Sequence, residues 1–312
     1  MSDKSKIISH NESLLSLEQS VEMIRNRIIN EGDKPYVTVE KQLELLNGLK
    51  DFEFGKFLVQ HQGINGFWTH YMLTHPWFGK KTGRNLEGKP LAELEKFLLN
   101  HAPTLLATQQ RFEIFLKENQ KCVKNGATLV CIPSGLMGEF LYLDFKGIND
   151  IKLVGIDLDN ESLTETEKLA QKQKLDQFIK LENKNAWHLN YENEFDLISS
   201  NGLNIYEPDE KRLIQLYQEF YKALKPNGKL VTSFVTCPPN PDNPSQCQWD
   251  FSQINKENLL LQKIIFSDIL NAKWQCFRSE NETKEQLKKA GFKNIEFIYD
   301  RAKIFPTVVA FK

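Results

Sequence analysis

Ala127-Thr128-Leu129-Val130-Cys131-Ile132 is an almost wholly apolar run, and Pro133-Ser134-Gly135-Leu136-Met137-Gly138-Glu139 follows it directly. A short apolar run bounded by turn residues reads as a strand buried on both faces, as in a parallel sheet. Glycines at the turn let a ligand approach the backbone, and the N-terminus of a following helix offers free N–H groups. A tight turn with no ligand explains two glycines equally well. The surroundings of the loop must therefore decide. A helix is expected over Leu136 to Phe145.

Downstream, the pattern repeats. Ile151 to Ile156 reads as a second strand ending at Asp157, and Ser162 to Leu175 as a charged helix. Phe178 to Leu181 is a weak third strand and Phe195 to Ser199 a fourth. A helix over Asp209 to Leu224 is expected to stop at Pro226-Asn227-Gly228, with a fifth strand over Gly228 to Val235. Strands alternating with helices imply a parallel sheet covered on both faces. The tail breaks this rhythm. A helix over Glu280 to Ala290, closed by Gly291, leads into two strands, Ile295 to Tyr299 and Pro306 to Phe311. The link between them is too short for a crossover helix, so the sheet should end in an antiparallel hairpin.

Upstream, no strand pattern of any strength precedes Asn125. Leu14, Leu17, Val21, Ile24 and Ile28 fall at helical spacing within Ser13 to Asn30, and Glu31-Gly32-Asp33-Lys34-Pro35 breaks the helix. Val39, Leu43, Leu46 and Leu49 mark a second helix. Phe54 to His75 is rich in aromatic residues and is interrupted by Gly63 and Gly66. Thr104 to Asn119 is a further helix, with Leu105, Phe112 and Phe115 apolar. The expected division is a helical N-terminal segment over 1–120 and an α/β domain over 121–312. Within the latter, 237–277 is an insertion after strand five. It opens on Cys237-Pro238-Pro239-Asn240-Pro241-Asp242-Asn243-Pro244, too rich in proline for helix or central strand. Its place at the carboxyl end of a strand suits a substrate mouth.

The 312 residues carry 40 Lys plus Arg against 41 Asp plus Glu. That balance gives no general attraction to nucleic acid or acidic lipid, so a small-molecule partner is favoured and nucleic acid disfavoured. No run of about 18 apolar residues occurs, so no membrane span is expected. Met1 to Asn11 lacks the apolar core of a signal peptide. The five cysteines, Cys122, Cys131, Cys237, Cys247 and Cys276, form no C-x-x-C pair. Reduced thiols in a cytoplasmic protein, with no structural metal, are the expectation. Oligomeric state has no signature in the chain.

Asp157 lies some twenty positions after the glycine loop, where a carboxylate would accept hydrogen bonds from a ribose diol. Asp159 reads both as a neighbour of that site and as the N-cap of the next helix.

Together these stretches resemble the class I methyltransferase family, over roughly Lys121 to Lys312. Pro133, Ser134, Gly135 and Gly138 stand in the loop that resembles the family's first motif. Gly155-Ile156-Asp157 resembles the second, with Leu158 following. Lys184-Asn185-Ala186-Trp187 falls where the family contacts adenine, which places Asn185 and Ala186 there. Phe195 to Leu203 resembles the fourth motif, with Asn201, Gly202 and Leu203 at its end. Ala223-Leu224-Lys225-Pro226-Asn227-Gly228-Lys229-Leu230 is very like the family's turn into strand five. The resemblance implies an α/β, Rossmann-like, seven-stranded, mostly parallel sheet with a terminal antiparallel hairpin, preceded here by the helical segment. It also implies S-adenosyl-L-methionine as cofactor, S-adenosyl-L-homocysteine as product, and in-line displacement onto an acceptor.

The chain departs from the family in two places. Cys131 and Pro133 stand where an acid and a glycine usually open the first motif, and Pro133 supplies no N–H. Ser200-Asn201-Gly202-Leu203 replaces the N-P-P-[YF] motif of enzymes that methylate amino groups of nucleic acids and proteins. Trp68, His70, Tyr71 and His75 form a dense set of polar-tipped rings. Trp68 and Tyr71 could cover a sulfonium, since cations are drawn to aromatic faces; packing of a helix onto a core explains the same rings. His75, Tyr206 and His188 are candidate bases, His188 being the weakest. Two rival readings stay open. One is a nicotinamide-dependent oxidoreductase, and the other a non-catalytic nucleoside-binding protein on a degenerate methyltransferase fold.

Overall fold

The computed structural model describes residues 15–238, 248–272 and 276–312. Met1 to Asn11, the predicted first helical turn at Ser13 and Leu14, Pro239 to Pro244 and Cys247 lie outside the described residues. The chain divides into two compact units. One comprises Met1–Leu106 with Phe251–Trp274, the other Ala107–Asp250 with Gln275–Lys312.

The second unit is built on a seven-stranded sheet of order β3-β2-β1-β4-β5-β7-β6. Its strands are β1 (Ala127–Cys131), β2 (Ile151–Asp157), β3 (Ile179–Asn183), β4 (Phe195–Ser200), β5 (Leu224–Ser233), β6 (Lys293–Ile298) and β7 (Thr307–Phe311). Strands β1 to β5 are parallel, while β7 pairs antiparallel with both β5 and β6. The predicted α/β fold with its closing hairpin is therefore present. Helix α10 (Glu210–Ala223) begins where the Asp209 side chain accepts the N–H groups of Lys211 and Arg212, satisfying donors that have no partner within the helix. Leu213, Leu216, Tyr217 and Phe220 then repeat at the spacing of one helical face. They are buried with Val130, Ile198, Leu230, Phe234 and Leu287 in one core. Helix α9 (Asn160–Gln173) is opened by the Asp159 side chain, and α12 (Glu280–Ala290) by a capping box between Ser279 and Glu282.

Two local expectations fail. The helix expected over Leu136 to Phe145 is only the single turn Gly138–Leu141, α8. Met137 before it is left-handed, and beyond it Gln120 and Asp144 exchange two hydrogen bonds that lead the chain away from helical geometry. Nor is α10 stopped by Pro226-Asn227-Gly228. The helix ends at Ala223 and β5 starts at once. Phe195 pairs with Leu224 and Leu197 with Lys229, so the Pro-Asn-Gly turn lies in a bulge of β5, where a proline without an N–H is tolerated.

The first unit is helical: α1 (Leu17–Glu31), α2 (Val39–Leu49), α3 (Glu53–His61), α4 (Gly66–Thr74), α5 (Gly79–Thr82), α6 (Glu93–Asn100) and the beginning of α7 (Pro103–Gln120). The buried face of α2 is Gln42, Leu45, Leu46 and Leu49, offset from the expected Val39 and Leu43. The excursion after β5 contributes α11 (Lys256–Lys263) and a π-helical segment, Ile264–Ile269. Arg27 donates to the carbonyls of Asp268 and Ile269, and Lys34 pairs with the Asp268 carboxylate at 3.0 Å. These bonds join the excursion to residues more than 230 positions earlier, so it packs with the helical unit, while α7 from Ala107 onward belongs with the sheet. The units therefore divide the chain differently from a cut at 120/121. Among the described residues no helix is long and apolar enough to cross a membrane.

Candidate functional site

Strand order reverses between β1 and β4, and crevices at the carboxyl ends of such strands are where open α/β sheets bind ligands. The loop after β1 is held there by backbone bonds. Ser134 N–H donates to the Ile156 carbonyl at 2.9 Å, and Gly135 N–H to Asp157 Oδ2 at 2.9 Å. Asp159 N–H donates to Asp157 Oδ1 at 3.0 Å. One carboxylate thus ties the glycine loop to the end of β2, and each oxygen keeps a lone pair. Burial pushes the Asp157 carboxyl above the ordinary aspartate value, while the N–H bonds act in the opposite sense.

Gly135 has φ 46°, the left-handed region that glycine enters without a side-chain clash. Gly135→Val should therefore cost about 1–3 kcal/mol in backbone strain and also obstruct the loop's closest approach to a ligand. Thermal unfolding together with nucleoside-binding calorimetry checks both. A variant with wild-type stability and affinity would reduce the loop to a plain turn.

Beyond β3, the Asn185 side chain accepts the Trp187 N–H at 3.0 Å, and Ala186 is buried beside it. The Trp187 indole donates to the Arg212 carbonyl at 2.9 Å, with the Arg212 guanidinium 5.3 Å from its ring centre. Leu158, directly after Asp157, is 45 % exposed. His188 is exposed.

After β4, Asn201 and Gly202 lead into a 3-10 turn, Leu203–Tyr206. Arg278 braces this turn by donating to the carbonyls of Asn204 and Glu207. Buried Glu139 links the β1 and β4 ends, accepting from the Cys131 thiol at 2.9 Å and from Asn201 Nδ2 at 2.6 Å. Burial pushes both the Cys131 thiol and the Glu139 carboxyl up, and burial also pushes the Tyr206 phenol up to about 12. Asn119 on α7 donates to Ser199 Oγ at 3.1 Å and to the Glu139 carbonyl.

The structure thus brings Pro133, Ser134, Gly135, Gly138, Asp157, Leu158, Asn185, Ala186, Asn201, Gly202, Leu203 and Tyr206 into the sheet unit, on segments that follow the carboxyl ends of β1 to β4. Sequence reading missed Arg111, Asn119 and Asp300, all buried in that unit. Arg111 and Asn119 lie on a helix read only for its apolar positions, and Asp300 in the hairpin link.

Trp68, Tyr71 and His75 belong to the helical unit. Trp68 stacks on Phe54 at 5.4 Å, and the Tyr71 hydroxyl donates to Glu95 Oε1 at 2.8 Å. His75 Nε2 lies 3.0 Å from Asn100 Oδ1, and burial lowers its pKa, so the ring is neutral at pH 7. Tyr71→Phe removes this side-chain hydrogen bond to buried Glu95 and should destabilise the protein by about 1–3 kcal/mol. Nucleoside affinity measured alongside separates packing, which leaves affinity unchanged, from a ligand contact, which lowers it.

A model described as a methyltransferase domain matches residues 137–282. The chain is 29 % identical over 147 residues to a demethylmenaquinone methyltransferase from Lactobacillus johnsonii, covering 46 % of this chain and only 58 % of that enzyme. A Bordetella parapertussis structure described as a possible exported protein is 39 % identical, covers 95 % of each chain and superposes with a TM-score of 0.87. The S-adenosylmethionine-dependent methyltransferase SibL in its apo form shares the fold at a TM-score of 0.51, with 11 % identity over 88 % of this chain and 75 % of that one. The methyltransferase-domain match covers just under half of the chain, and the strand order with its antiparallel closing hairpin is the class I, Rossmann-like methyltransferase fold.

Proposed function

We propose that the protein is an S-adenosylmethionine-dependent methyltransferase acting on a small-molecule acceptor in the cytoplasm. The observation that carries this reading is the Asp157 carboxylate, fixed at the β2 end by the Gly135 N–H and beside the exposed Leu158. The residues fit a nucleoside. Asp157 keeps lone pairs for the ribose hydroxyls, Leu158 offers an uncovered apolar face for adenine, and Gly135 presents no side chain. Asn201 Oδ1 is buried without a hydrogen-bond partner, suiting it to an ammonium or hydroxyl donor. Free thiols at Cys122, Cys131 and Cys276 fit a reducing compartment.

When bound, the sulfonium supplies an activated methyl group. Gly135, Asp157 and Asn201 would hold the group that carries it, and its methyl would pass to an acceptor's lone pair by an in-line displacement in which sulfur would keep the bonding pair. The residues align nucleophile, methyl carbon and sulfur and exclude water. An acceptor proton leaves to a base or to solvent. At neutral pH the Tyr206 phenol, pushed up to about 12 by burial, is protonated and donates a hydrogen bond to the acceptor.

Calorimetry with S-adenosylmethionine, S-adenosylhomocysteine and NADH tests the proposal. The first two should bind and NADH should not. Binding of NADH alone would favour an oxidoreductase, against which the antiparallel β5-β7-β6 end argues. Pro133, with no N–H in the loop, favours a non-catalytic binder as the second reading. Binding without turnover over a panel of acceptors would support it.

A further inference from the structure

Arg111 is a buried cation with no paired anion among the described residues. It sits on α7 and is 5 % exposed. Its Nη1 donates to Ser233 Oγ at a long 3.3 Å, its guanidinium carbon lies 4.5 Å from the Phe305 ring centre, and its Nε has no hydrogen-bond partner. Asp300 and Glu139 act on it electrostatically, but both carboxylates are engaged elsewhere. Asp300 accepts the N–H groups of Ala302, Ile304 and Phe305 at 3.1, 3.2 and 2.7 Å. Glu139 accepts from Cys131 and Asn201.

Burying an unpaired guanidinium costs free energy that packing does not return. Burial pushes its pKa down to about 10, so it still carries its charge at neutral pH. Its place is informative. Ser233 ends β5, Tyr206 closes the turn after β4, and Phe305 lies just before β7. All three are on the β5 side of the point where strand order reverses, whereas Gly135 and Asp157 lie at the ends of β1 and β2. The nucleoside and Arg111 therefore occupy different halves of the crevice.

We propose that Arg111 binds a carboxylate of the methyl acceptor, with the Ser233 and Tyr206 hydroxyls beside it, so that the acceptor is an organic acid. A guanidinium offers a planar fork of donors that matches a carboxylate in two parallel bonds. Phe305 holds the fork's face and leaves its edge for the ligand. The assignment rests on the methyl-transfer reading above.

The test uses full-length protein saturated with S-adenosylhomocysteine, with benzoate and its uncharged isostere benzamide as probes followed by calorimetry. Benzoate should bind at least about ten-fold more tightly than benzamide, the scale for losing a charged hydrogen bond. Arg111→Gln should remove that preference and leave S-adenosylhomocysteine affinity within about two-fold, well under the loss expected of a broken charged contact. Arg111→Lys, which keeps the charge, should retain part of the preference and serves if the glutamine variant does not fold. Equal binding of the two probes, or no binding of either, overturns the assignment even if S-adenosylhomocysteine binds. An equal loss of S-adenosylhomocysteine and benzoate in Arg111→Gln also overturns it, by giving Arg111 to the cofactor's own carboxylate. Absence of S-adenosylhomocysteine binding to the wild type defeats the methyl-transfer reading instead.

Discussion

Asp157→Ala is expected to weaken S-adenosylhomocysteine binding by about 1.5–3 kcal/mol, the range for hydrogen bonds to a charged group, which is about 10- to 150-fold in affinity. Two losses combine. The ribose hydroxyls lose their acceptor, and the Gly135 and Asp159 N–H groups lose the oxygens that hold them at 2.9 and 3.0 Å. The second loss also frees the glycine loop from the end of β2, so the melting temperature should fall too. Asp157→Asn separates the two contributions. Its amide keeps one acceptor oxygen but turns an NH2 group toward one of the two backbone donors. It should therefore bind more weakly than wild type and also melt lower. Isothermal titration beside thermal unfolding measures both. A folded Asp157→Ala protein with unchanged affinity would remove Asp157 from the nucleoside site.

The sheet was legible because its central strands are buried on both faces and need continuous apolar runs, as Leu129 to Cys131 and Leu153 to Ile156 supply. The tail was legible because so short a link permits only a hairpin. Less legible was whatever depends on partners distant in sequence. Nothing at Asp144 announces its exchange of bonds with Gln120, which ends the predicted helix early. The excursion after β5 carried no sign that Asp268 would meet Arg27 and Lys34. In the site, Asp157 could be found from its distance to the glycine loop. Arg111 could not, because its meaning comes from Ser233, 122 residues later, and from the engagement of Asp300 and Glu139 elsewhere. A sequence shows that an arginine sits on a helix, but not that its charge goes unanswered.

The largest stability effect is expected at Lys229, in the turn that resembles the family's entry to strand five. Its side chain is buried and donates to Glu118 Oε2 at 2.7 Å and to the Glu118 carbonyl at 2.9 Å. Lys121 donates to the other Glu118 oxygen at 2.6 Å. This pair joins α7 to the sheet face at β5. Lys229→Met leaves a buried carboxylate with only the more exposed Lys121, and removing one partner of a buried ion pair costs about 3–5 kcal/mol. Lys229→Met with Glu118→Leu removes both charges and should recover most of that loss, because paired buried charges and well-packed apolar residues are often nearly equivalent. The pH dependence follows from the carboxylate. Burial opposes ionisation of Glu118, but the bonds from Lys121 and Lys229 prevail and hold its pKa below 4.5. A carboxyl held below its unfolded value contributes stability that is fully present above that value and lost as pH falls through the folded pKa. Wild type should therefore lose this contribution on acidification below about pH 4.5, whereas the double variant should show a flatter stability profile there. Urea unfolding of the wild type and both variants, at neutral pH and at successive acid values, measures the coupling directly. A double variant as unstable as Lys229→Met would mean that the lysine stem's packing, and not its charge, holds α7 to β5.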